Sequence, residues 1–250
     1  MACFLVTRPR RDSLETARRV RELFHDTTIA PLIEIADVDG PVLDLANVQA
    51  LLATSANGVR AFVQRQGGPV PKMRVLAVGD ATARAAQQVG MYDVISAAGD
   101  VDDLARLANR TLDPAAGDVL HVAGTKVAGD LAGMLSGAGF SYRREILYEA
   151  LPVAALPENA VAAITERTIA GVLLYSPRTA RLFTELVARA DLGDACGDLD
   201  ALCLSANVAA ALGEASTGSL RRVLVAETPT EDALMAVIRE NHGSVGPKPL

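Results

Sequence analysis

Residues 53–62 read Ala53-Thr54-Ser55-Ala56-Asn57-Gly58-Val59-Arg60-Ala61-Phe62, and residues 174–183 read Leu174-Tyr175-Ser176-Pro177-Arg178-Thr179-Ala180-Arg181-Leu182-Phe183. Serine, arginine and phenylalanine fall at the same relative positions in the two stretches. The likeness continues downstream. Ala77-Val78-Gly79-Asp80-Ala81-Thr82-Ala83 aligns with Cys203-Leu204-Ser205-Ala206-Asn207-Val208-Ala209, and Val94–Leu104 with Val223–Leu234. Three consecutive units are echoed in order, which marks an internal repeat.

Each unit has the same grammar. Short apolar runs occur at Phe4–Thr7, Leu51–Thr54, Val75–Val78, Val94–Ser96, Val119–Ala123, Val172–Tyr175, Ala201–Leu204 and Val223–Ala226. A small polar turn ends each run, and a stretch with helical apolar spacing follows, as in Leu14, Ala17, Val20, Leu23 and Phe24. Strand, turn and helix in alternation predict βα units and parallel sheets. The first half of the repeat runs from Leu51 through Val119–Gly139. The second begins at Val172, and its missing unit is Phe4–Phe24 at the other end of the chain. One α/β domain, 38–147, is therefore inserted into another, built from 1–34 and 152–250. The crossings Thr27–Asp39 and Arg144–Pro152 read as two extended, antiparallel linker strands forming a hinge, with flexibility expected at Asp37–Gly40 and Ala150–Pro152. The tail 242–250 carries two glycines and two prolines and is expected to be disordered.

Composition bounds the function. The 250 residues are half hydrophobic but only 4% aromatic, without tryptophan, so the core is built from Ala, Val, Leu and Ile. The net charge is −6 and there is no large basic block, which argues against nucleic acid as a partner. Cys3, Cys196 and Cys203 have no metal, redox or disulfide spacing, as suits a reducing cytoplasm. His25, His121 and His242 stand apart in sequence, so no metal site is expected. No signal peptide or membrane-length apolar run is present, and nothing demands a dimer, so a monomer is expected.

Ligands of open parallel sheets bind beyond the carboxyl ends of the strands. Here those ends are the turns at Thr7-Arg8-Pro9, Ser55-Ala56-Asn57, Gly79-Asp80-Ala81-Thr82, Gly124-Thr125-Lys126, Ser176-Pro177-Arg178, Ser205-Ala206-Asn207 and Thr228-Pro229-Thr230. Each opens a helix, so amide N–H groups there attract carboxylates or phosphates. The same residues also serve as plain helix caps. An acidic chain with such turns in two domains can hold a polyanion through local donors. No phosphate-loop or dinucleotide fingerprint exists, and no nucleophile has a neighbouring base.

The ordered elements Leu5-Val6-Thr7-Arg8-Pro9, Thr54-Ser55-Ala56-Asn57-Gly58-Val59, Ala77-Val78-Gly79 with Thr82-Ala83, Leu147-Tyr148-Glu149, Tyr175-Ser176-Pro177-Arg178 and Ala226-Glu227-Thr228-Pro229-Thr230 resemble the uroporphyrinogen-III synthase family from about Phe4 to Ile238. The resemblance implies two flavodoxin-like parallel-sheet domains, one inserted into the other and joined by a two-stranded linker. It implies a cofactor-free, cyclising hydro-lyase of tetrapyrrole (haem) biosynthesis. The substrate would be hydroxymethylbilane, received in a possible transient contact with the preceding pathway enzyme. Tyr148 matches the tyrosine that the family places at the linker, where a phenol protonates or hydrogen-bonds the departing hydroxyl. Thr7, Arg8, Ser55, Ala56, Asn57, Gly79, Thr82, Gly124, Ser176, Pro177, Arg178, Ser205, Asn207 and Thr228 would contact substrate. Val208 departs from the threonine of many relatives, with Asn207 beside it, and Lys126 only approximates the basic residue expected after Gly124. The other reading is a non-catalytic tetrapyrrole- or anion-binding module of the same fold.

Overall fold

A computed structural model describes residues 1–127, 129–213 and 220–243. Strands β1 (Cys3–Val6), β2 (Asp26–Ile29), β3 (Ile33–Asp37), β4 (Val48–Ala53), β5 (Arg74–Ala77), β6 (Val94–Ser96), β7 (Asp118–Gly124), β8 (Tyr142–Pro152), β9 (Gly171–Leu174), β10 (Asp200–Cys203) and β11 (Arg222–Val225) alternate with helices. The helices are α1 (Arg10–Glu22), α2 (Ala56–Gln66), α3 (Asp80–Gln88), α4 (Val101–Thr111), α5 (Leu131–Gly137), α6 (Glu158–Thr165), α7 (Pro177–Arg189), α8 (Ala206–Gly213) and α9 (Glu231–His242). The contacts divide the chain into two compact units, Met1–Glu34 with Leu151–Leu250, and Ile35–Ala150.

The first unit holds a five-stranded sheet in the order β2-β1-β9-β10-β11, and its strand pairings are parallel. The two faces follow from the alternation of side chains along a strand. Leu5, Val172, Leu174, Ala201 and Cys203 point one way, against Ala160 and Ile164 of α6, Phe183 of α7 and Val208 of α8. Phe4, Val6, Leu173 and Leu202 point the other way, against Val20 of α1 and Leu234, Met235 and Ile238 of α9. Val208 is thus a core residue of α8, which is the physical role of the apolar side chain at that position.

The second unit holds a six-stranded sheet, β3-β8-β7-β4-β5-β6. Leu51, Ala53, Val75, Leu120 and Val122 pack with Val59 and Phe62 of α2. Leu52, Leu76 and Val119 pack with Leu104 and Leu107 of α4 and Leu131 and Leu135 of α5. The central strands are apolar on both sides, as a sheet covered on both faces requires. Placing β7 on β1, β4 on β9, β5 on β10 and β6 on β11 superposes the two sheet orders, and β8 then falls on β2. The repeat in the sequence is therefore a repeat of sheet position, with the strands entering in permuted order.

Three expectations need correction. The stretch Thr27–Asp39 is not one crossing: it begins inside β2, the edge strand of the first sheet, parallel to β1, and only β3 belongs to the crossing. The segment from Arg144 is not only a linker, because β8 begins at Tyr142 and pairs in parallel with β7. β3 and β8 are neighbours. Val153 N donates to Leu32 O at 3.1 Å and Val38 N to Leu147 O at 2.9 Å, a register that runs antiparallel. At the carboxyl end, His242 closes α9 rather than beginning the tail, and 244–250 lie outside the described residues.

The opposite edge of the first sheet carries a charged cluster. Asp200 is fully buried, and Arg221 and Arg222 both donate to its carboxylate through Nε and Nη2. Burial alone would raise the Asp200 carboxyl, but the hydrogen bonds from the two arginines outweigh it and hold the group well below the usual carboxylate range. His242 Nε2 sits 3.1 Å from the same carboxylate. This cluster ties the starts of β10 and β11 together beside the end of α9.

Candidate functional site

Every sequence-predicted site residue lies at or just beyond the carboxyl edge of the sheet in its own unit. In the first unit Thr7 and Arg8 follow β1, Ser176, Pro177 and Arg178 follow β9, Ser205 and Asn207 follow β10, and Thr228 follows β11. In the second, Ser55, Ala56 and Asn57 follow β4, Gly79 and Thr82 follow β5, Gly124 ends β7, and Tyr148 is on β8.

The turns are built by capping. The Ser55 hydroxyl accepts from Asn57 N at 3.1 Å to start α2, and Ser176 accepts from Thr179 N at 3.1 Å to start α7, with Pro177 at the first helical position. Thr230 caps α9 while the exposed Thr228 hydroxyl lies 3.2 Å from it. Gly79 precedes α3 in an extended conformation without a side-chain cap, so the first amides of that helix have no capping oxygen. Asn57 Oδ1 accepts from Arg60. Asn207 is exposed on the first turn of α8.

Some predicted side chains are occupied by the protein itself. The Thr7 hydroxyl is buried and donates to Leu173 O at 2.8 Å, so it stitches β1 to β9. Arg8 donates to Glu231 Oε1 and to Thr16 Oγ1, each at 3.2 Å, and its guanidinium lies 4.3 Å from the centre of the Tyr175 ring. Tyr175 donates to Glu231 at 2.9 Å. Burial, and then the charge of Glu231, push the Tyr175 phenol above its ordinary value. The pairing of Arg8 with Glu231 was not readable from the sequence, because the two are far apart in the chain and meet only through the sheet order.

Tyr148 has a different setting. It is 9% exposed and packs in the core cluster under α2. Its hydroxyl takes no partner among the described residues. The ring lies across two glycines. A Cβ built on Gly124 would stand 2.8 Å from Tyr148 Cζ, 2.9 Å from Cε2 and 3.1 Å from the hydroxyl oxygen, and one built on Gly58 would stand 3.8 Å from Cε1. The phenol is therefore held between the end of β7 and the amino-terminal turn of α2, where helix amides favour negative charge.

Four further residues support this edge. His121 on β7 is buried, with Nε2 2.9 Å from Thr54 Oγ1 and Nδ1 2.6 Å from Tyr142 Oη. Burial pushes its imidazole down to about 4, and Arg144 pushes the same way. Arg144 Nη2 donates to Gly124 O at 2.7 Å and to Thr125 O at 3.1 Å. The signal for His121 was present as a histidine inside the apolar run Leu120-His121-Val122. Its partners could not be read without strand register. Among the described residues no group of three metal-ligating side chains gathers, and no helix is long and apolar enough to cross a membrane.

The model of the uroporphyrinogen-III synthase HemD family matches residues 15–236. The chain belongs to the uroporphyrinogen-III synthase family. Solved members share its fold at low identity. A uroporphyrinogen-III synthetase from Helicobacter pylori is 15% identical with a TM-score of 0.60, over 96% of this chain and 99% of that one. A mutant uroporphyrinogen III synthase from the extremely thermophilic bacterium Thermus thermophilus is 19% identical with a TM-score of 0.52, over 98% and 100%. A comparison with curated proteins gives no match.

Proposed function

We propose that the chain is a working uroporphyrinogen-III synthase, a lyase that converts hydroxymethylbilane into uroporphyrinogen III and one water. The observation that carries this reading is the Tyr148 phenol, without a hydrogen-bond partner among the described residues and seated at the carboxyl edge of its sheet beside the start of α2, in a member of this enzyme family. In the reaction the terminal hydroxyl leaves as water, giving an electrophilic azafulvene. The substituted carbon of the last pyrrole attacks it to form a spiro intermediate, and fragmentation with reclosure inverts that ring. Tyr148 donates a hydrogen bond or proton to the departing hydroxyl. The helix starts at Ser55, Gly79, Ser176, Ser205 and Thr230 supply amides for the substrate's carboxylates.

Because the substrate also closes unaided to the uninverted isomer, the protein's task is positioning more than bond activation. Each tenfold preference for one closure needs about 1.4 kcal/mol of differential stabilisation. A charge-assisted hydrogen bond contributes about 1.5–3 kcal/mol, so a few well-placed amides suffice. The test is to mix the protein with fresh hydroxymethylbilane, oxidise the product and separate the uroporphyrin isomers. Isomer III is expected to predominate. A mixture dominated by isomer I, as without protein, removes the synthase reading and leaves a binding module of the same fold.

A further inference from the structure

The pairing of β7 with β8 changes register at its end. Ala123 pairs with Ile146, but the next residue, Gly124, pairs with Tyr148, so Leu147 is an extra residue on β8. Such a bulge turns the side chains beyond it relative to those before it. Without it, Gly124 would face Leu147, a buried core residue. With it, Tyr148 becomes the cross-strand neighbour of Gly124, and the hydroxyl half of its ring lies on the glycine at a distance no side chain would permit. The Gly124 backbone is fixed in turn. Arg144, four residues before Tyr148 on the same strand, donates to its carbonyl, and Thr125 N donates to Tyr148 O at 3.1 Å.

From this geometry we propose that Gly124 is a positioning residue: the β8 bulge and the missing Cβ together form a seat that sets where the Tyr148 hydroxyl stands. This rests on the synthase reading for its catalytic meaning, but the seat itself is a claim about structure. Gly124 is a sensitive probe because the three atoms nearest its Cβ position all belong to the far end of the Tyr148 side chain. In Gly124→Ala the ring must swing away, while the backbone keeps a conformation open to alanine. Displacing a catalytic group by about 1 Å can cost about 10²-fold in rate.

The test uses the full chain with Gly124→Ala, Tyr148→Phe and the double variant. Gly124→Ala is expected to lower kcat for isomer III by about 10²-fold with KM and thermal midpoint near the wild-type values. The double variant should be no slower than Tyr148→Phe, because both changes remove one hydroxyl from one place. A wild-type kcat in Gly124→Ala, or losses that multiply in the double variant, would overturn the proposal. In parallel, NMR of tyrosine labelled with carbon-13 at Cζ reads the seat without turnover. The Tyr148 resonance, assigned by its loss in Tyr148→Phe, should move in Gly124→Ala, and an unmoved resonance overturns the seat. A wild-type protein that yields only isomer I would sink the function while this spectrum still decides the position of the ring.

Discussion

His121 lies inside a parallel sheet with both ring nitrogens engaged, to the Thr54 hydroxyl at 2.9 Å and the Tyr142 hydroxyl at 2.6 Å. A neutral imidazole has one donor and one acceptor, and two hydroxyls can complement both. Charging the ring would add an uncompensated cation in a buried place, and burial accordingly lowers its proton affinity from 6.5 to about 4. Between those values the unfolded chain takes up a proton here that the folded chain refuses. Stability therefore falls as pH drops through that window, by about 3 kcal/mol over the whole of it. Urea midpoints measured at about pH 7 and about pH 4.5 should differ less in His121→Gln than in the wild type. An equal acid loss in both would show that another group carries it. This histidine was visible in the sequence as a polar residue in an apolar strand. Its environment was not, since that depends on β4, β7 and β8 lying side by side.

At the scale of elements, the packing of α2 on β7 turns on Gly58. A Cβ there would stand 2.4 Å from Val122 O, a backbone atom that cannot swing aside. Alanine in place of glycine gains about 1 kcal/mol of helix propensity, but forced overpacking costs about 1–3 kcal/mol or more. Gly58→Ala should therefore lower the melting temperature. Gly137, at the end of α5, has nothing within 4 Å of its Cβ position, so Gly137→Ala should keep the propensity gain and raise it. The same direction for both variants in a thermal melt would refute this account of α2. The strands at the eight apolar runs, and the helices that follow them, were legible because their apolar spacing is regular. β2 was not, because Asp26-Thr27-Thr28-Ile29 has a single large apolar residue and sits at a sheet edge, where burial asks little of it. β8 was half legible. Its run Arg143-Arg144-Glu145 reads as solvated linker, yet the arginines donate to backbone carbonyls and leave the strand in the sheet.

At the scale of the whole molecule, the second unit has its own sheet and two cores of its own. A chain of residues 35–150 is expected to fold alone, with helical and sheet circular dichroism and one cooperative melting transition. A featureless thermal trace would show that it depends on the rest of the chain. The sequence repeat made the insertion readable, because the order of matched units has only one arrangement that completes both halves. The carboxyl-edge residues were readable for the same reason, through the rule that strand ends carry sites. The partners that hold the Arg8 and Thr7 side chains, Glu231 and Leu173, were not readable, since such long-range partners leave no local mark.

The bond from Val153 to Leu32 also has a meaning in chain statistics. For the first unit, everything between those two residues is one loop of about 120 residues, and closing it as an unstructured coil costs about 4 kcal/mol beyond a constant. Once β3 and β8 have zipped, the loop's ends are already adjacent and that entropic cost disappears. Folding of the insert thus stabilises the host through the connectivity of the chain alone. A mutation that unfolds residues 35–150 would weaken the first unit through nothing more than the freedom returned to the chain.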